Sequence, residues 1–115
     1  MKNFNKKEFD CPCCGENRMK RSVMELLDMA RNVSGVPYKI SSGYRCKAHN
    51  TEVGGKETSS HLSGDAADIL AENSSQRFHI IDGLIHVGFL RIGIGKDFIH
   101  ADADHSKDAE VIWLY

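Results

Sequence analysis

Residues 59 to 68, Ser-Ser-His-Leu-Ser-Gly-Asp-Ala-Ala-Asp, place an imidazole at His61 and a carboxylate at Asp68 on either side of a glycine. Asp68 sits in the apolar run Ala66-Ala67-Asp68-Ile69-Leu70, where an unpartnered charge is costly, so it calls for a partner or a metal ion. Histidine and aspartate together suit Zn²⁺. A third ligand has to come from elsewhere, and His100 in Asp97-Phe98-Ile99-His100 is the best candidate, again a histidine interrupting apolar residues. Three protein ligands leave one tetrahedral position for water, the arrangement of a catalytic zinc site.

The elements that must position these residues are readable from periodicity. Met19, Val23, Leu26, Leu27, Ala30 and Val33 follow helical spacing and predict a helix over residues 18–33, stopped by Ser34-Gly35-Val36-Pro37. Asn17 is a candidate cap for it. Tyr38 to Ser42 reads as a short strand, residues 46–52 as one or two helical turns, and Ala66 to Leu70 as a buried strand. Ser74 to about Val87 reads as a second long helix, with Phe78, Ile81, Leu84 and Ile85 as its buried stripe and Gly88 as its stop. Leu90–Ile94 and Asp97–Ala103 form a hairpin around Gly95-Lys96, and Glu110–Tyr115 reads as a closing strand. The pattern predicts an α+β fold, a small antiparallel sheet packed against helices. If Asp68 and His100 lie on neighbouring strands, period-two geometry lets both face the same side.

The bulk numbers narrow the function classes. A chain of 115 residues fits a single domain, 1–115, with residues 1–17 as an N-terminal extension whose loop carries cysteines and whose Phe4 and Phe9 could anchor it. A net charge of −1 gives no electrostatic case for nucleic acid or an anionic membrane surface. No apolar run has the length of a membrane span, and the N-terminus has no apolar segment of a secretory signal. The expectation is a monomer made in the cytoplasm. The four cysteines, Cys11, Cys13, Cys14 and Cys46, admit three states. Free thiols are the default in a reducing compartment. A disulfide from the cluster to Cys46 is the second, and a metal site the third, although no second close pair completes a zinc knuckle.

Three motifs, in order, resemble a known family. Ser59, His61, Gly64, Ala66 and Asp68 fit Ser-x-His-x-x-Gly-x-Ala-x-Asp; Ser42-Gly43-Tyr44-Arg45 with Asn50 and Val53-Gly54-Gly55 precede it; Asp97-Phe98-Ile99-His100 closes the set. Together, over about residues 18–103, they resemble the zinc-dependent D-alanyl-D-alanine carboxypeptidases, peptidoglycan peptidases that include small phage endolysins and share their core fold with Hedgehog signalling domains.

The resemblance implies one zinc ion per chain held by His61, Asp68 and His100, with Asp97 as general base. Positions three apart on a strand face opposite sides, so this role predicts an irregularity near Phe98. Arg45 would bind a substrate carboxylate or polarise the scissile carbonyl. Ser59 would support the loop or contact substrate rather than act as nucleophile, and Trp113 and Tyr115 would line a substrate groove or pack an edge. Asp102 could orient a ligand, whereas Asp104 and His105 read as an exposed turn. The implied substrates are peptidoglycan stem peptides or cross-links, cut by a D,D-carboxypeptidase or endopeptidase. With no wall-binding domain or signal in the sequence, the expected setting is the cell wall, reached by phage-type release or as part of a virion. Two rivals stand beside this reading: a zinc-containing binding module without catalysis, and a structural domain of a phage particle.

Overall fold

The computed structural model describes residues 1–115 and contains three α-helices and five strands. They are α1 (Arg21–Ser34), β1 (Ile40–Ser42), α2 (Lys47–Glu52), β2 (Ala66–Leu70), α3 (Ser74–Val87), β3 (Arg91–Ile94), β4 (Phe98–Asp102) and β5 (Val111–Leu114). The strands form one sheet in the order β1-β2-β4-β3-β5, so the α+β class expected from the sequence is the observed one. No helix is long and apolar enough to cross a membrane.

The sheet departs from the antiparallel expectation at its last strand. The pairs β1–β2, β2–β4 and β3–β4 are antiparallel, but β5 runs parallel to β3. The cause is where β4 ends: Asp102 lies opposite Arg91, the first residue of β3, and the chain then crosses to the far side of β3. There the Val111 N–H donates to the Leu90 carbonyl at 3.1 Å, so β5 starts level with the start of β3 and must run alongside it.

Strand alternation divides the sheet into two faces. Ala67, Ile69, Ile92, Ile99 and Ala101 pack with Val23, Met24, Leu27 and Ala30 of α1 and Ile80 and Leu84 of α3 in one buried core. Asp68, His100 and Asp102 alternate with these residues and occupy the opposite face. Gly35 caps α1 and Gly88 caps α3, both in the left-handed conformation, as the stop signals predicted.

Three local expectations need correction. The buried stripe of α3 is rotated: Ile80, Gly83 and Leu84 are buried, while Phe78 and Ile85 are mostly exposed. Gly83 explains the rotation, because a Cβ there would stand 2.5 Å from the Ala30 carbonyl oxygen and 2.5 Å from the Tyr38 hydroxyl. The helices approach through this glycine, a contact that hydrophobicity alone does not reveal. Asn17 does not cap α1, whose N-cap is Lys20 without a side-chain bond. Instead its amide bridges to the Lys6 carbonyl and the Asp10 carboxylate. Residues 1–17 are also more than an extension, since Phe4, Phe9 and Cys11 are buried in the same core. The Tyr44 N–H donates to the Phe9 carbonyl at 2.9 Å, which ties this segment to the exit of β1.

Candidate metal centre

The strand register assembles the site. Asp68 on β2 pairs directly with His100 on β4, His100 with Gly93 on β3, and Gly93 with Trp113 on β5, forming one row across the sheet. Gly93 is bare because a Cβ there would meet the rings of Tyr115 and Trp113 at 2.6 and 2.7 Å. The expectation that Asp68 and His100 share a face on neighbouring strands is therefore met.

His61 reaches the same point from the loop between α2 and β2. Its Nδ1 lies 2.8 Å from the Gly43 carbonyl, which fixes a proton on that nitrogen and leaves Nε2 bare toward the site. Nε2 is 3.3 Å from Asp68 Oδ1, and His100 Nδ1 is 2.9 Å from the same oxygen. His100 Nε2 is held in turn by Asp102 Oδ2 at 2.7 Å. All three residues are buried, and their ligand atoms lie within 4.8 Å of one another.

These residues fit a zinc ion. Ligands about 2.0–2.1 Å from a tetrahedral centre stand about 3.4 Å apart, close to the spacings found. Each histidine also turns its second nitrogen to a carbonyl or carboxylate, the outer support that metal-binding imidazoles require.

Electrostatics follow from this crowding. Burial alone would raise the Asp68 carboxyl, but the hydrogen bond from His100, with the His61 ring beside it, outweighs burial and holds the group well below the usual carboxylate range. Burial would likewise lower His100, yet its bonds to Asp102 and Asp68 raise it above its ordinary value. Burial opposes and His100 favours the charged form of Asp102, whose pKa ends lowered. In the metal-free protein, then, a proton on His100 takes the role of the cation between two carboxylates.

The sign of the resulting pH dependence is definite. The His100 contribution to stability is fully present below its unfolded value of 6.5 and is lost as pH rises through the raised folded value. The Asp68 and Asp102 contributions are present above 3.8 and are lost as pH falls through their lowered folded values. Chelated protein is expected to show a lower Tm at about pH 8 than at about pH 6, whereas zinc-loaded protein should not, because zinc needs neutral imidazole. Thermal unfolding at both pH values, with chelator and with zinc, checks this.

Other residues named from the sequence also reach the site. Arg45, Ser59 and Trp113 line a cavity of about 610 Å³ together with His61, Asp68 and His100. Arg45 donates from Nε to Ser42 Oγ at 3.0 Å and reaches Asn50 Oδ1 and Asp68 Oδ2 at 3.4 Å each, so the guanidinium is braced in place over the carboxylate. The Trp113 ring centroid is 5.4 Å from that of His100. Asp102, besides holding His100, pairs with Arg91 Nε at 2.8 Å, and the Arg91 guanidinium lies over Trp113.

Asp97 is the exception. The irregularity predicted near Phe98 is absent, because β4 pairs residue for residue with β2 from Phe98 to Asp102. Asp97 stays in the turn before β4, exposed and outside the cavity lining, with its backbone carbonyl accepting from Ala71 N–H. It stands one position from the lining residue Phe98. The break in register instead falls in β1, between Ile40 and Ser42.

Asp104 is also more than an exposed turn residue, since its carboxylate accepts from Ser60 Oγ at 2.7 Å and secures the loop beside His61. Tyr115 lines the cavity as the groove reading allowed, whereas no motif pointed to Lys56 or Gly93. Only the alternating position of Gly93 in a strand could have signalled a close approach.

Two imidazoles and a carboxylate, two of them on a sheet face and one on the loop above it, converge beside a cleft as the donor set of a catalytic zinc site. The family model described as Peptidase M15 matches residues 2–102, and the chain belongs to that family of zinc metallopeptidases. The match takes in the N-terminal segment that the motifs alone had left out. No curated protein matches the chain.

Proposed function

We propose that the protein hydrolyses peptide bonds in bacterial peptidoglycan, in stem peptides or their cross-links, as a D,D-carboxypeptidase or endopeptidase acting on the wall as a monomer. The observation that carries this reading is the cleft itself, lined by Arg45 and Lys56 together with the metal ligands, Trp113 and Tyr115. Cationic groups and aromatic rings in one cleft suit short peptides bearing free carboxylates, and wall stem peptides have that chemistry. Delivery to the wall by phage-type release, or within a virion, belongs to the same proposal.

Bound zinc would supply Lewis-acid polarisation of the carbonyl and an activated water. The chain's own residues do the rest. Gly43 and Asp102 keep the metal-facing nitrogens of His61 and His100 correctly oriented. Arg45, already fixed by Ser42 and Asn50, offers its N–H groups to a substrate carboxylate or to the developing oxyanion.

The proton acceptor must lie outside the ligand cluster. Asp68 is engaged by both histidines and by Arg45, and Asp102 by His100 and Arg91. We assign the role to Asp97, brought over Phe98 by the Gly95–Asp97 turn when substrate is bound; catalytic contacts often tighten only at that stage.

The test is incubation of the purified protein with peptidoglycan of several chemotypes, followed by mass spectrometry of the fragments. New amine ends that disappear on chelation are the expected result and identify the bond. No release from any chemotype would overturn the reading in favour of a non-catalytic zinc module. With the same substrate, Asp97→Ala should reduce turnover at least about 100-fold with metal content unchanged. Turnover equal to wild type would remove Asp97 as the base.

A further inference from the structure

A second cluster of metal-binding side chains lies outside the cleft. Cys11, Cys13 and Cys14 are carried by the loop Cys11-Pro12-Cys13-Cys14-Gly15, and Cys46 by the segment that follows Arg45. Though far apart in sequence, their four sulfurs lie within 4.8 Å of one another. With Zn–S bonds of about 2.3 Å, the sulfurs of a tetrahedral site stand about 3.8 Å apart, so small side-chain rotations would complete it. The nearest pair, Cys13 and Cys46, is at 3.4 Å.

The backbone is folded to present these sulfurs. The Gly15 N–H donates to the Cys11 carbonyl at 2.8 Å, and the Cys11 N–H to the Glu16 carbonyl at 2.8 Å, which closes the loop on itself. Gly15 has φ of 74°, a left-handed turn that lets the chain double back directly after Cys14. The Cys46 N–H donates to Cys11 Sγ, and the His49 N–H to Cys46 Sγ, both at 3.4 Å. Amide donors of this kind stabilise metal-bound thiolates by taking up part of their charge. All four cysteines are free thiols, and a single metal ion accounts for the convergence of all four sulfurs on one point.

We infer that Cys11, Cys13, Cys14 and Cys46 bind a structural zinc ion, separate from the ion of the cleft. The site would clamp the N-terminal segment to the exit of β1. That junction also holds Gly43, whose carbonyl orients His61, and Arg45, the neighbour of Cys46. Binding releases protons from the ligating thiols and stabilises the fold, because the site does not exist in the unfolded chain. The inference does not depend on the substrate proposed above.

The experiment uses the full chain, purified without oxidation, with elemental analysis of metal and reconstitution with Co²⁺. Wild type is expected to hold about two zinc ions per chain and His61→Ala about one. In both proteins cobalt should give the intense near-ultraviolet band of thiolate-to-metal charge transfer. Cys46→Ser should weaken that band strongly while leaving the weaker visible bands of a nitrogen and oxygen site. Cys14 is exposed, so Cys14→Ser tests ligation without disturbing the core and should weaken the band in the same way. A wild-type protein with one metal ion and no thiolate band would overturn the inference. So would a Cys13–Cys46 disulfide found by peptide mapping of the anaerobically isolated protein, or iron in place of zinc at the sulfur site.

Discussion

Asp68→Asn is expected to lose one metal ion per chain and to lose hydrolysis with it, turnover falling by about three orders of magnitude or more, equivalent to about 4 kcal/mol of transition-state stabilisation. The substitution preserves size, so the effect isolates charge and ligation. Asp68 Oδ1 is the atom on which both imidazoles converge, at 2.9 Å from His100 and 3.3 Å from His61. Its Oδ2 faces the Arg45 guanidinium at 3.4 Å. An amide removes the anionic ligand, and one of its two ends then presents N–H donors either to Arg45 or to the cation. With two neutral nitrogens left, the site keeps too little negative charge to retain Zn²⁺. Metal analysis and the wall-digestion assay on the same preparation check this. A variant that keeps its full metal content and turns over within about tenfold of wild type would show that Asp68 is not a ligand.

Gly64→Ala is the second large effect, and it acts on the fold. Gly64 has φ of 76°, in the left-handed region. A Cβ at this position would stand 2.0 Å from the Arg18 carbonyl oxygen and 3.0 Å from Met19 Cα, both backbone atoms that cannot rotate aside. The close approach is maintained by Lys20 N–H, which donates to the Gly64 carbonyl at 3.0 Å, and by the 2.7 Å ion pair between Lys20 and Asp65. Left-handed strain and overpacking together should cost about 4 kcal/mol, a large part of the stability of a small domain. The urea midpoint should drop accordingly, and zinc affinity should fall with it, because the displaced loop carries His61. An unfolding free energy within about 0.5 kcal/mol of wild type, at unchanged m, would show that the loop tolerates a side chain here. This contact gives a steric reason for the glycine of the Ser-x-His-x-x-Gly-x-Ala-x-Asp motif, which serves backbone packing rather than chemistry.

The two variants separate what composition and spacing made legible from what they could not. Residue type alone singled out His61, Asp68 and His100, because ionisable side chains among apolar neighbours need partners. Period-two alternation then told which of them could share a face. Helix and strand limits followed from glycine stops and apolar spacing, which are local properties of the chain. The N-terminal segment was legible in part: Phe4 and Phe9 stood out as anchors in a polar stretch, but the core that buries them and Cys11 is built by residues far along the sequence.

Other features arose from the way distant segments meet. The rotated stripe of α3 depends on Gly83 meeting α1, a contact between two helices that neither shows alone. The parallel entry of β5 depends on where β4 ends. Asp97 follows the same logic: three positions from His100 in sequence, it is kept at the turn by the unbroken β2–β4 pairing. Asp102 holds His100 because residues two apart on a regular strand share a face. The approach of Cys46 to the Cys11–Cys14 loop was legible only as one of three cysteine states, for it rests on packing of the N-terminal segment against the β1 exit. Local pattern specifies which groups demand a partner; the partner itself is chosen by strand register and close backbone contacts, which join residues dozens of positions apart and leave no periodic mark in the chain.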